Sequence, residues 1–123
     1  MPKLLLIVTA LVEVGTGLAL LIAPSFVVEL LLGEGLSSPQ SLVLGRITGA
    51  ALLSIGVACC FSSTGEPSGR RGLVGSLLIY NLAVPAILTR AAIADGMRGI
   101  AIWPTCALHF GLAIWCLVCL RWR

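Results

Sequence analysis

The stretch Leu4–Ala23, LLLIVTALVEVGTGLALLIA, contains no charged residue other than Glu13, which lies near its middle. As an α-helix this stretch would span roughly 30 Å, about the thickness of the hydrocarbon core of a bilayer. An ionised side chain at that depth is costly unless a partner or water contacts it, so intramembrane acids usually mark functional sites. The stretch therefore predicts a transmembrane helix, and Glu13 is the first candidate site residue.

The composition extends this prediction to the whole chain. Of the 123 residues, 59% are hydrophobic and 11% are charged, whereas soluble domains carry about 25% charged residues. Most of the charges lie outside four apolar runs, at about residues 4–23, 41–61, 73–92 and 100–120. This pattern predicts one all-α domain over residues 1–123, a bundle of four transmembrane helices. The first run is too long for a cleaved leader and contains Glu13, so we expect it to be retained.

The connections predict the topology. Phe26–Leu32, FVVELLL, is too short to span a bilayer and suits a short interfacial helix between the first two spans. Four spans place both termini and the middle loop on one side, and that side carries Lys3, Arg70, Arg71, Arg121 and Arg123. The positive-inside rule therefore predicts a multi-pass protein of the inner (plasma) membrane with both termini cytoplasmic. The basic residues form no stripe, so no nucleic-acid partner is expected.

Each apolar run contains one strongly polar residue, namely Glu13, Arg46, Asn81 or His109. Counting the helical rise places Glu13, Asn81 and His109 near the midplane. Arg46 lies nearer the outer face, from which its long side chain can reach Glu13 or water. With Tyr80, these residues are predicted to form an intramembrane polar network or a ligand site. Two interpretations stay open: hydrogen bonds that hold the helices together, or a functional site.

The functional interpretation itself has two forms. Glu13 could be a proton-linked acid with His109 as its relay, or the polar residues could line a pocket for a lipid headgroup or a quinone ring. His109 is the only histidine, which excludes two-histidine haem or metal chemistry within one chain. We therefore predict no cofactor.

Glycines in the second run predict close helix packing. Gly45 and Gly49 form a G-x-x-x-G, and Gly56 follows one heptad later. Small residues at this spacing let two helix backbones approach closely.

Four of the five cysteines converge at the predicted cytoplasmic end, where Cys59 and Cys60 end the second run and Cys116 and Cys119 end the fourth. Four thiols could bind a soft metal or cycle as dithiols. Cysteine is also a common small apolar residue in membrane helices, and no polar group is visible near these four. Packing is the favoured interpretation, and we predict no metal site.

The order of features in the first half resembles small bacterial membrane proteins of the DoxX-like group. These features are a first helix ending at Pro24, the segment FVVELLLG at 26–33, Arg46-x-x-Gly49, and Gly56. The resemblance covers about half of the chain. It implies a four-helix bundle in a bacterial inner membrane and a loose association with quinone or sulfur redox enzymes. It implies no catalytic residue.

The short loops leave almost no soluble surface for chemistry. We therefore predict a non-enzymatic membrane protein in contact with lipid, acting as a structural or accessory subunit of a larger membrane assembly or as a homo-oligomer. One alternative is a small proton-coupled transporter or channel that uses Glu13 and His109. A second alternative is a quinone- or thiol-linked redox accessory protein.

Overall fold

The computed structural model describes residues 1–122; Arg123, one of the predicted cytoplasmic charges, lies outside the described residues. Its helices are α1 (Pro2–Ile22), α2 (Pro24–Leu32), α3 (Pro39–Thr64), α4 (Pro67–Ile93) and α5 (Ile102–Arg121). All except α2 are long and apolar enough to cross a membrane. The predicted all-α fold with four spanning helices and a short helix after the first is therefore confirmed, and the chain is a multi-pass membrane protein.

Proline determines where most of the helices begin. At the first helical position the missing N–H of proline leaves no hydrogen bond unmade, and the fixed φ suits the helix. The prolines in this position are Pro2, Pro24, Pro39 and Pro67. The start of α3 is also capped, because the backbone N–H of Ser41 donates to the Ser38 hydroxyl oxygen at 3.1 Å.

The helices α3 and α4 are longer than the predicted spans at 41–61 and 73–92. Only Gly65 and Glu66 separate α3 from α4. The Arg70 guanidinium donates to the carbonyl oxygens of Ser62 at 3.2 Å and Gly65 at 2.7 Å. Arg70 thus adds hydrogen bonds to carbonyls at the end of α3, and this helix continues beyond the apolar run.

Glycines bring α1 and α3 into backbone contact. A Cβ built on Gly49 would lie 2.8 Å from the Gly17 carbonyl oxygen, and one built on Gly17 would lie 2.7 Å from the Gly49 carbonyl oxygen. Gly56 is equally close to α1 two turns along α3, whereas Gly45 packs against Pro24 at the start of α2. The α1–α3 pair is thus packed closely in the manner of G-x-x-x-G helix pairs.

Two hydrophobic clusters lie at opposite ends of the bundle. One cluster comprises Leu5, Leu6, Ala10, Cys59, Val74, Leu77, Leu112 and Cys116. The other comprises Leu88, Ile102 and Cys106, with Leu31 and Leu32 of α2 packed against it. The polar residues of α1, α4 and α5 lie between these two clusters along their helices.

The short helix α2 lies against the connection between α4 and α5. The backbone N–H of Ala101 donates to the Leu30 carbonyl oxygen at 2.8 Å. Gly99 touches the backbone of Leu31 so closely that a side chain would not fit. These contacts hold α2 across one end of the bundle.

The starts of α1 and α4 and the ends of α3 and α5 form the other end. A hydrogen bond of 3.0 Å from the Arg71 guanidinium to the Leu120 carbonyl oxygen joins the start of α4 to the end of α5. We call this the basic end, since Lys3, Arg70, Arg71 and Arg121 belong to it. The opposite end is called the α2 end.

Candidate functional site

Glu13 is buried among the helices rather than facing lipid. Its side chain is 1% exposed. The Tyr80 hydroxyl of α4 donates to Oε2 of Glu13 at 3.3 Å, while Oε1 has no hydrogen-bond partner within residues 1–122. An unpartnered carboxylate oxygen is costly away from water, so a donor from outside the chain would be stabilising at Oε1.

Asn81 and His109 form the second part of the site. Nδ2 of Asn81 donates to the Leu77 carbonyl oxygen at 2.9 Å, one turn back in α4. Oδ1 of Asn81 lies 2.7 Å from Nδ1 of His109. Because Oδ1 can only accept a hydrogen bond, Nδ1 carries the hydrogen, and Nε2 of a neutral imidazole is left as an acceptor.

The Tyr80 ring connects these two parts. It lies edge-on to the His109 ring, with 5.4 Å between centroids and 86° between planes. Its hydroxyl contacts Glu13, as described above. Glu13, Tyr80, His109 and Asn81 therefore form one continuous cluster that joins α1, α4 and α5, and we call it the polar cluster.

A cavity of about 220 Å³ adjoins the polar cluster under α2. Its polar lining comes from Glu13, Thr16, Tyr80, Thr105 and His109. Its apolar lining comes from Val12, Val27, Leu30, Leu31, Leu52, Ala101 and Leu108. Drug-sized ligands fill pockets of about 300–1,000 Å³, so this cavity suits a smaller molecule or the head of an amphipathic one.

Thr16 and Thr105 were not predicted as site residues. Thr16 follows Glu13 by three positions in α1, and Thr105 precedes His109 by four in α5. Residues at these spacings share one face of a helix. That spacing is the signal in the sequence that would have identified both threonines.

Arg46 is the one predicted site residue that the structure places away from the others. Its side chain is exposed, whereas Gly45 and Gly49 on the same helix are buried. Adjacent helical residues point about 100° apart, so the packing of these glycines turns Arg46 outward. Within residues 1–122 no ion pair joins Arg46 to Glu13, whose one hydrogen-bonded oxygen contacts Tyr80 instead.

The cysteines are all free thiols. Cys59 and Cys116 are buried in the hydrophobic cluster of the basic end, Cys60 is exposed, and Cys119 is half-buried. Across residues 1–122, no three or more His, Cys, Asp or Glu side chains lie close enough together to hold a metal ion. The contacts of Cys59 and Cys116 are those of packing residues.

Two further polar groups are buried without a hydrogen-bond partner in the described part of the chain. They are the Thr9 hydroxyl, one turn before Glu13, and the indole nitrogen of Trp115 in α5. Neither residue lines the cavity beside the polar cluster. Sequence reasoning identified neither, because nothing in the local pattern distinguishes them from other residues of an apolar helix.

Comparison with known proteins gives no independent assignment. No protein-family model, curated protein or solved structure matches this chain. The function is therefore argued from the site.

Proposed function

We propose that this protein is a non-enzymatic membrane bundle that binds a small ligand inside the bilayer. The observation that carries the proposal is the cavity of about 220 Å³ lined by Glu13, Tyr80 and His109, together with the missing hydrogen-bond partner of Glu13 Oε1. Hydrogen bonds that served only to hold the helices together would need no such space. A buried acceptor beside a cavity is typical of a group that receives its partner from a ligand.

The lining defines the class of ligand. Glu13 supplies an acceptor, and so does Nε2 of a neutral His109, while most of the remaining surface is apolar. The matching molecule has a hydrogen-bond donor, such as an amine or a hydroxyl group, on an apolar body. Such a molecule would enter from the bilayer, where it is concentrated.

Stability in lipid nanodiscs with octylamine, octanol or octanoate as probes tests this function. At about ten times its Kd a ligand stabilises the folded state by about 1.4 kcal/mol, so a donor-bearing probe should raise the Tm by a few degrees. Octylamine is expected to raise it most and octanoate not at all. Glu13→Gln should lose the octylamine effect, while Glu29→Gln, which alters an exposed acid of α2, should keep it. Equal shifts in Glu13→Gln and the unmodified protein would refute the proposal.

The same site could also serve to transport the ligand. The presence of Glu13 and His109 beside one cavity supports a small proton-coupled transporter, because ionisable side chains inside a membrane often take part in proton transport. In vesicles, a transporter would take up the bound probe along a proton gradient and lose this uptake in Glu13→Gln. A protein that only binds would be stabilised by the probe but would not transport it into the vesicles.

A second candidate function is assembly, either with itself or as an accessory subunit. Ala50, Ser54 and Ala58 are exposed and follow one another at every fourth position of α3. The Ser54 hydroxyl donates to the Ala50 carbonyl oxygen at 2.9 Å, so its hydrogen-bonding need is met within the helix. Small residues at this spacing favour helix association in membranes.

Ser54→Leu tests the assembly function. The larger side chain should prevent close approach on this face and shift the protein to monomers in native mass spectrometry. Ser76→Leu is the matched control, because Ser76 is also exposed and its hydroxyl also bonds the carbonyl four residues back, at Gly72. Identical oligomer distributions in both variants would argue against an α3 interface.

The orientation of the protein in the membrane is also part of the proposal. The excess of basic residues at the basic end supports an orientation with both termini in the cytoplasm of a bacterial cell and the α2 end outside. Membership of the DoxX-like group stays a prediction from the first half of the sequence.

A further inference from the structure

A groove at the basic end is separate from the polar cluster. It encloses about 470 Å³ where the starts of α1 and α4 meet the end of α5. Its lining residues are Pro2, Pro67, Arg70, Arg71, Val74, Cys119, Leu120 and Trp122. None of these residues within 1–122 carries a carboxylate, so the described lining of the groove is basic.

The two arginines retain hydrogen-bond donors. Within residues 1–122 the Arg71 guanidinium uses Nη2, which donates to the Leu120 carbonyl oxygen at 3.0 Å. Arg70 uses Nε and Nη2 for carbonyls at the end of α3. Each guanidinium has five N–H groups, so Nη1 of both residues is left for an anion. The existing bonds also fix the two side chains, which lowers the entropy lost when an anion binds.

The rest of the groove lining is apolar. Leu120 and the buried Val74 belong to it, and Trp122, also in the lining, is 80% exposed. Tryptophan with basic residues at the end of a transmembrane helix is typical of the level of the lipid headgroups. A groove with an apolar wall and cationic donors at this level matches an amphipathic anion.

The α2 end offers a contrast. A groove of similar volume, about 490 Å³, lies there between α2 and the α4–α5 connection. Glu34 and Asp95 line it together with Arg98. Of these two grooves, only the one at the basic end favours anions.

We propose that the groove at the basic end binds the headgroup of an anionic phospholipid. The lipid phosphate accepts hydrogen bonds from Arg71 and Arg70, and the acyl chains lie along Leu120 and Trp122. The apolar wall selects a lipid over free phosphate, because free phosphate gains nothing from covering these side chains. This site is independent of the proposed ligand cavity, which lies at the α2 side of the polar cluster.

Native mass spectrometry of the full chain, released from nanodiscs of equal phosphatidylglycerol and phosphatidylcholine, tests this site. The unmodified protein is expected to retain phosphatidylglycerol in preference to phosphatidylcholine. A Lys or Arg near a membrane surface contributes about 1 kcal/mol to the binding of anionic lipid, about fivefold in affinity. Arg71→Gln should lower the retained phosphatidylglycerol by about that factor, and Arg71→Lys should lower it less.

Arg98→Gln is the matched control, because it removes an exposed cation from the α2 end. Retention should be unchanged in this variant. Unchanged retention in Arg71→Gln, or an equal loss in Arg98→Gln, would overturn the proposal. Millimolar inorganic phosphate should leave the bound lipid in place; displacement by phosphate would show that the groove is a phosphate site and not a lipid site. If Arg71→Gln fails to fold, the unmodified protein is the test: equal retention of phosphatidylglycerol and phosphatidylcholine would overturn the proposal.

Discussion

Glycine backbones join α1 to α3, whereas side chains join α4 to α5. Gly17 and Gly49 lie so close to the facing helix that neither has room for a Cβ. Between α4 and α5, by contrast, the contact near the middle of the helices is the short hydrogen bond that His109 Nδ1 donates to Asn81 Oδ1. Two means of helix association therefore operate within one small bundle.

The cavity lies outside both of these helix pairs. Helices in backbone contact leave no space between them, and the α1–α3 crossing is closed at its centre. The cavity forms beside Tyr80 and His109, where α2 covers the gap between α1 and α5. Close packing in one pair thus gives a rigid support for the open side of the bundle.

The largest effect on this arrangement should come from Gly17→Ala or Gly49→Ala. Either methyl group would meet backbone atoms of the facing helix, which cannot move aside as a flexible side chain can. Overpacking of this kind costs about 1–3 kcal/mol. We expect a loss of that size in the free energy of unfolding, measured by denaturant titration in mixed micelles.

Gly15→Ala is the control for that measurement. Gly15 belongs to the same helix as Gly17 but has nothing within 4 Å of the position a Cβ would take. Its replacement should leave stability unchanged or raise it by up to about 1 kcal/mol through helix propensity. A loss in Gly15→Ala equal to that in Gly17→Ala would show that close approach to α3 is not what holds the pair together.

A smaller effect is expected from the hydrogen bond between α4 and α5. A double-mutant cycle with Asn81→Leu and His109→Leu should give a coupling free energy of about 0.6 kcal/mol and at most about 1.7 kcal/mol, the range for hydrogen bonds inside membranes. The reason is that the unfolded state in a membrane also finds partners for these groups. The cycle is measured by the same denaturant titration.

A double-mutant cycle with Glu13→Gln and Arg46→Gln gives the coupling free energy expected for residues that are not in contact. Arg46 is exposed and Glu13 contacts Tyr80 instead, so the coupling should be indistinguishable from zero. Coupling of Glu13 to Arg46 as strong as that of Asn81 to His109 would contradict the placement of Arg46 and restore the ion pair that the sequence suggested.

Most of the polar cluster could be predicted by counting residues along the helices. Glu13, Asn81 and His109 each lie near the centre of an apolar run, and the helical rise turns that position into depth. Tyr80 could be added because it adjoins Asn81. The cavity could not be predicted, because it depends on α2 folding back over α5, which a backbone hydrogen bond between Ala101 and Leu30 secures.

Arg46 shows the limit of that counting. Depth along a helix follows from residue number, but rotation about the helix axis follows from the neighbouring helix. Gly45 and Gly49 turn one side of α3 inward and so carry Arg46 outward. The helices α3 and α4 also extend beyond the predicted spans at 41–61 and 73–92, and hydropathy does not record the hydrogen bonds of Arg70 at the end of α3.

The sequence by itself determined the number of spanning helices, the short helix after the first, and the polar residues near the middle of the apolar runs. These features follow from the length of apolar runs and the fixed geometry of the α-helix, both of which are local. Only the tertiary structure decided that Glu13 faces Tyr80 instead of Arg46 and that a cavity adjoins it. Those outcomes depend on how closely each helix pair can approach, which is set by residues far apart in the chain, such as Gly17 and Gly49.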